Sequence, residues 1–235
     1  MKRVSIMQPT YLPWCGYFGL IQSVDLFIFL DSVQFERRSW QQRNRIKTAS
    51  GPRWLTIPVV SKGKRHQIIR DVAIDNHDNF ADKHLKAIEL NYKNAPYFNT
   101  VFPEIEQILN ISAKNNLADT TIDLIFCLKR LLGNNTPMMR SSDLTANGTK
   151  AELLSSFCEQ VDATEYLAPP GSRGYLESSD AFEKLGITVR YLSFHHPIYP
   201  QLFGDFLPYM SCLDMLFNCG SQAPSLIKGA SSCSK

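Results

Sequence analysis

The stretch "RNRIK" at residues 43–47 concentrates cations in a way that calls for an anion. In an extended strand Arg43, Arg45 and Lys47 share one face, with neighbours about 7 Å apart, while Asn44 and Ile46 take the other. The repulsion of each neighbouring pair in water is about 0.6 kcal/mol and grows where solvent is excluded. Glu36 is the one acid within ten residues along the chain. A phosphate or diphosphate would relieve the repulsion, because guanidinium groups grip phosphoryl oxygens through a bidentate fork. Trp40 and Trp54 stand close by, and a basic groove with aromatic walls suits a nucleotide. The competing reading is a solvated basic edge strand that resists aggregation.

Other residue types could add chemistry. Gln8 and Asp31 stand where two apolar stretches end, and ligands of open parallel sheets bind beyond the carboxyl ends of the strands. The competing role for both is to satisfy nearby backbone or cap a helix. Of the five histidines, His84 falls on a helical pattern, His195 and His196 follow an apolar stretch, and His66 and His77 sit in polar loops. A general base could come from any of them, although a lone histidine is more often a surface or capping residue. Cys15, near an expected helix start, is the best thiol nucleophile of six, with buried hydrophobe as its competing role. No Walker loop, dinucleotide glycine fingerprint, nucleophile elbow or metal-binding motif occurs.

The elements that must position these groups can be read from the pattern. "KRVSIMQ" reads as a strand, "LPWCGYFGLIQSV" as a helix with Pro13 near its first turn, and "DLFIFLD" as a buried strand. Together they form a βαβ unit with parallel strands. "SWQQRNRIKTASGPRWLTIPVV" reads as a hairpin turning at "SGP", and "IIRDVAI" as a further strand. Three amphipathic helices follow between residues 79 and 133. "ATEYLAP" and "ITVRYLSF" are strands separated by a Gly-rich turn and a short helix, and "DFLPYMSCLDMLFNCG" is a helix closed by Gly220. The expected fold is α/β, a Rossmann-like layered arrangement with a mainly parallel sheet, an added hairpin and a helical insertion. Residues 1–220 read as one domain and 221–235 as a flexible C-terminal tail.

Composition narrows the classes. The 235 residues carry a net charge of +3, yet the nine Lys and Arg from Arg37 to Arg65 meet no acid, so the remainder is net acidic. A local cationic segment points to a bound anion more than to polymeric nucleic acid, which wants a broad basic face. No run approaches the roughly 20 apolar residues of a membrane span. The six cysteines form no CxxC pair, and reduced thiols in a cytoplasmic protein are expected.

The blocks "QPTYLPWCGYFGLI", "LDSVQFERRSWQQRNRIK", "WLTIPV", "NYKNAPYF", "YLAPPGSRGYL" and "YPQLFGDFLPYMSCLDMLFNCG" resemble, in order over residues 4–220, the WbqC-like family of bacterial proteins. The family pattern falls on Gln8, Tyr11, Trp14, Tyr17, Asp31, Gln34, Trp40, Arg43, Asn44, Arg45 and Lys47, and later on Ser172 and Tyr175. Cys15 and Cys212 depart from it, which weakens a thiol mechanism. The resemblance implies work in surface-polysaccharide, O-antigen type, or related secondary pathways, through transfer of an acyl or aminoacyl group, glycine in one proposal, onto an amino sugar. A remoter likeness joins the opening βαβ unit to HIGH-type nucleotidyltransferases. Their paired histidines are replaced here by "PWCGY", which argues against adenylyl transfer while supporting a nucleotide-shaped pocket.

The expected activity is thus a transferase acting on a nucleotide-linked amino sugar. In this reading Arg43, Arg45 and Lys47 hold the diphosphate, Tyr11, Trp14 or Trp40 stack on base or sugar, and Tyr17 and Gln34 complete the binding set. Asp31 or His84 takes the amine proton, and Gln8 or Asn44 polarises the acyl carbonyl. The donor is an acyl or aminoacyl carrier-protein thioester or acyl-CoA, no cofactor is firmly bound, and an acidic carrier protein is a partner the basic segment suits. The alternatives are a non-catalytic nucleotide-sugar-binding protein and a scaffold of such a pathway.

Overall fold

The computed structural model describes residues 1–112 and 116–234. The chain opens with β1 (Arg3–Met7), α1 (Cys15–Gln22) and β2 (Leu26–Phe29), and β1 and β2 pair in parallel with Val4 opposite Leu26 and Met7 opposite Phe29. An antiparallel hairpin, β3 (Arg43–Thr48) and β4 (Gly51–Thr56), stands as its own two-stranded sheet. The helices α2 (Phe80–Tyr92), α3 (Phe98–Ser112) and α4 (Leu117–Leu131) follow, then β5 (Met138–Arg140), α5 (Ala151–Gln160) and β6 (Glu165–Ala168). After α6 (Arg173–Glu177), α7 (Ala181–Lys184) and β7 (Thr188–Phe194), the chain ends in α8 (Cys212–Cys219), α9 (Ala223–Ala230) and β8 (Ser231–Ser234).

The main sheet has the order β5-β2-β1-β6-β7-β8, parallel throughout except for β8 at one edge. Alternation along the strands divides the core into two layers. Phe27, Phe29, Leu167 and Leu192 join the larger cluster, with α1, α4 and α8. Val4, Ile6, Ile28, Tyr166 and Tyr191 join the smaller one, with α5 and α7. Helices on both faces of a mostly parallel sheet make a Rossmann-like α/β layering. The chain adds β2 and β5 on one side of β1 and then returns to lay β6 on the other. The strand order therefore reverses at β1, and a crevice opens where the carboxyl ends of β1 and β6 part.

Three local expectations change. "IIRDVAI" is a short 3-10 turn (Ile69–Asp71) rather than a strand, because its neighbours pair through single bridges, Gln34 with Ile68 and Val59 with Ile74. The short edge strand β5 has no matching expectation. Residues 223–234 fold instead of fraying: Ala223, Ile227 and Ala230 bury one stripe of α9, and β8 pairs with β7. No helix among the described residues is long and apolar enough to cross a membrane.

Candidate functional site

The crevice between β1 and β6 is a cleft of about 660 Å³. Its floor comes from the end of β1 and the residues after it, including Met7 and Gln8, and one wall from the turn after β6, with Gly171, Ser172 and Tyr175. The other wall comes from Trp14 and Tyr17 of the α1 region, the 36–41 turn and the start of β3. Apolar side chains dominate the lining, as in most small-molecule sites.

Local bonds fix these side chains. The Tyr17 hydroxyl donates to the Gln8 carbonyl (3.1 Å), and the Gln41 amide donates to Gln8 Oε1 (2.9 Å). Asn44 is buried: its Nδ2 donates to the Leu12 carbonyl and its Oδ1 accepts from Arg45 N, both at 2.7 Å. Leu12 has φ of 43°, a left-handed backbone uncommon for a side chain of this kind, so the Asn44 bond clamps the loop that delivers Trp14. The Trp14 indole folds back over Gly16, where a Cβ would come within 2.2 Å of the ring, so only glycine fits. Ser211 N donates to the Arg45 carbonyl (2.8 Å) and Cys212 N to the Pro13 carbonyl (2.7 Å). These bonds stitch the start of α8, and Tyr209 before it, to the rim.

The arginines of β3 lie against tryptophan. Arg43 sits 4.4 Å from the Trp54 ring centre, and Arg45 sits 5.5 Å from Trp54 and 5.8 Å from Trp40. Trp40 and Trp54 contact each other at 5.3 Å and remain 48% and 42% exposed, so nearly half of each ring is open to a ligand. Arg45 and Trp40 line the cleft, whereas Arg43 and Trp54 extend the ladder outside it. The buried Nε atoms of Arg43 and Arg45 have no hydrogen-bond partner among the described residues.

Several expected site residues lie elsewhere. Asp31 is fully buried and accepts from Ser141 Oγ (3.1 Å), Ser142 N (3.0 Å) and Ser142 Oγ (2.9 Å), with Arg140 at 4.0 Å. It caps the turn after β5 and is not among the residues that line the cleft. His84 is buried on α2 with its Nδ1 2.8 Å from the Tyr11 hydroxyl. Burial lowers its pKa to about 4, so it is neutral and sealed, and Tyr11 is spent on it. Lys47 shares the strand face of Arg43 and Arg45, but the 201–209 loop covers it and its Nζ donates to the Gly204 and Asp205 carbonyls. Gln34 donates to the Arg65 carbonyl in a neighbouring pocket. Of the expected set, the cleft brings together Gln8, Trp14, Tyr17, Trp40, Asn44 and Arg45.

Beneath the rim, Asp214 accepts from Tyr92 Oη (2.7 Å), Tyr199 Oη (3.0 Å) and Gln201 Nε2 (2.8 Å). Burial raises its pKa despite these bonds. Cys15 is buried beside Met215, and its pKa is raised well above the ordinary value by the hydrogen bond with Cys212 and by burial, so the thiol stays protonated. No group of three His, Cys, Asp or Glu side chains that could hold a metal occurs among the described residues.

Sequence reasoning gave no role to Glu36, Tyr209, Ser172 or Tyr175. Among the described lining residues Glu36 carries the one carboxylate and Arg45 the one guanidinium. The turn sets Glu36 firmly: its N–H donates to Gln41 Oε1 (3.0 Å) and its carbonyl accepts from Ser39 Oγ (2.7 Å). No ion pair among the described residues engages its side chain. Its signal in the sequence was its position, the single acid at the head of the cationic segment.

A family model described as the WbqC-like protein family matches residues 8–226. An uncharacterized protein of Mycobacterium tuberculosis (strain ATCC 25618 / H37Rv) is 39% identical over 229 residues, covering 97% of this chain and 98% of the relative. No solved structure matches.

Proposed function

The chain belongs to the WbqC-like protein family, and from that premise we propose that its cleft transfers an acyl or aminoacyl group onto the amine of a nucleotide-linked amino sugar. The observation that carries the reading is a cleft at the strand-order reversal whose described lining holds aromatic faces, one guanidinium and one carboxylate, neither engaged by an ion pair among the described residues. Trp40 and Trp14 offer faces for a base or sugar ring, and Arg45 offers its fork to a phosphoryl group. An amine of pKa about 8 is about one-tenth neutral at pH 7, enough to supply the attacking form, so a weak base suffices. Glu36 receives the proton as nitrogen attacks. The C–N bond forms, the C–S bond of a thioester donor breaks, and the proton passes to the departing sulfur, leaving an amide and a thiol. Gln8, held through its Oε1 by Gln41, can donate its amide to the acyl oxygen. Fixed placement of both reactants supplies much of the rate.

A second reading is a nucleotide-sugar-binding protein without catalysis. The engagement of Asp31 and His84 in the fold favours it, since Glu36 is then the one carboxylate among the described residues that line the cleft. Incubation with nucleotide amino sugars and a panel of acyl-CoA and acylated carrier proteins, followed by mass spectrometry, separates the two. Amide product supports transfer. Tight nucleotide-sugar binding with no product from any donor supports binding alone.

A further inference from the structure

A second pocket of about 530 Å³ opens beside the cleft, and Glu36 lines both. It is built by pairing of two loops. Ile69 N donates to the Val33 carbonyl and Phe35 N to the Gln67 carbonyl, each at 2.9 Å, and Gln34 bridges Ile68. The Gln34 side chain donates to the Arg65 carbonyl at 3.2 Å. This antiparallel ribbon brings Arg37 onto the same pocket as Lys64 and Arg65, from loops almost thirty residues apart in the chain. All three cations are exposed, and no ion pair among the described residues engages any of them. Three cations face one carboxylate, so the pocket is net positive, while the adjoining cleft holds one charge of each sign. Like charges held together in excess of the one carboxylate beside them are a ready site for an anion.

We propose that this pocket binds the phosphate of a phosphopantetheine thioester, the acyl donor, whose flexible arm passes Glu36 into the cleft. The proposal rests on the cleft being an acyl-transfer site. Chemistry selects the ligand: the donor must present a carbonyl at the Glu36 wall while its anionic end stays outside an apolar cleft. A phosphate joined to a thioester by a long neutral arm meets both demands. Coenzyme A and a carrier protein both supply that group.

The test is titration calorimetry with phosphopantetheine, pantetheine, coenzyme A and a holo carrier protein, on the wild type and on the triple variant Arg37→Ala, Lys64→Ala, Arg65→Ala. All three sites are exposed, and an unchanged melting temperature confirms folding. Phosphopantetheine should bind at least about tenfold more tightly than pantetheine, and the triple variant should lose that advantage while retaining nucleotide-sugar affinity. Where phosphopantetheine binds, tighter binding of coenzyme A or of the holo carrier supports the proposal and identifies the source. Equal binding of phosphopantetheine and pantetheine overturns it, as does undiminished binding by the triple variant or no phosphopantetheine binding at all. Loss of nucleotide-sugar binding in the wild type would instead strike the reading of the cleft, and a phosphate-dependent pantetheine site would still stand.

Discussion

Replacing Asn44 by alanine tests how the cleft is held. The side chain is 3% exposed and makes two bonds of 2.7 Å, to the Leu12 carbonyl and from the Arg45 N–H. Alanine leaves both backbone groups without their partner. Leu12 is fully buried, so its carbonyl bears most of the penalty, about 1–3 kcal/mol for an unsatisfied buried group. The Arg45 N–H lies on a more open strand and adds less. The clamp on the left-handed Leu12 backbone is also released. A combined loss of about 2–3 kcal/mol follows, equivalent to a fall in melting temperature of roughly 5–10 °C for a domain of this size. Urea denaturation with wild type and variant measures it. Nucleotide-sugar affinity should also fall, because Leu12 lies two residues before Trp14. A loss below about 0.5 kcal/mol would refute the reasoning and mean that the loop holds its shape without the amide.

Arg45→Ala should weaken nucleotide-sugar binding about tenfold by calorimetry with a small change in melting temperature, since its guanidinium lies against exposed rings; a large loss of stability with unchanged binding would make Arg45 structural. Stability should fall on acidification from pH 6.5 towards 4, because unfolded His84 takes up a proton near 6.5 while folded His84 stays neutral down to about 4. The total is about 3 kcal/mol at 1.36 kcal/mol per unit, and His84→Gln should remove that share of the slope in urea denaturation across this range. Cys15→Ala should keep its transfer activity, as the protonated, buried thiol has no part in the reaction. A folded but inactive variant would revive a thiol mechanism.

What the sequence made legible was local. The βαβ opening and the β3–β4 hairpin follow from periodicity and turn residues within thirty positions, and both stand as expected. The aromatic and cationic character of one wall was equally readable at Trp14, Trp40 and Arg45. The opposite wall was not, because it depends on β6 pairing with β1 across some 160 residues, and no local pattern encodes that neighbour. The same limit explains Lys47. Strand alternation assigned it to the face of Arg43 and Arg45, but a loop from residues 201–209 seals it. Asp31 stands at a strand end as expected, yet its partners lie on Ser141 and Ser142, which no spacing near Asp31 reveals. The C-terminal segment looked small and polar, and its apolar stripe has meaning only beside α1.

The most direct test of the account is Glu36→Gln, which keeps the shape of the cleft and removes the one carboxylate among its described lining residues. Amide formation from a nucleotide amino sugar and a thioester donor is followed by mass spectrometry, with nucleotide-sugar affinity measured alongside. The account predicts near-unchanged affinity and a rate lower by about 10²–10⁴-fold. Amide formation at the wild-type rate by Glu36→Gln would contradict it.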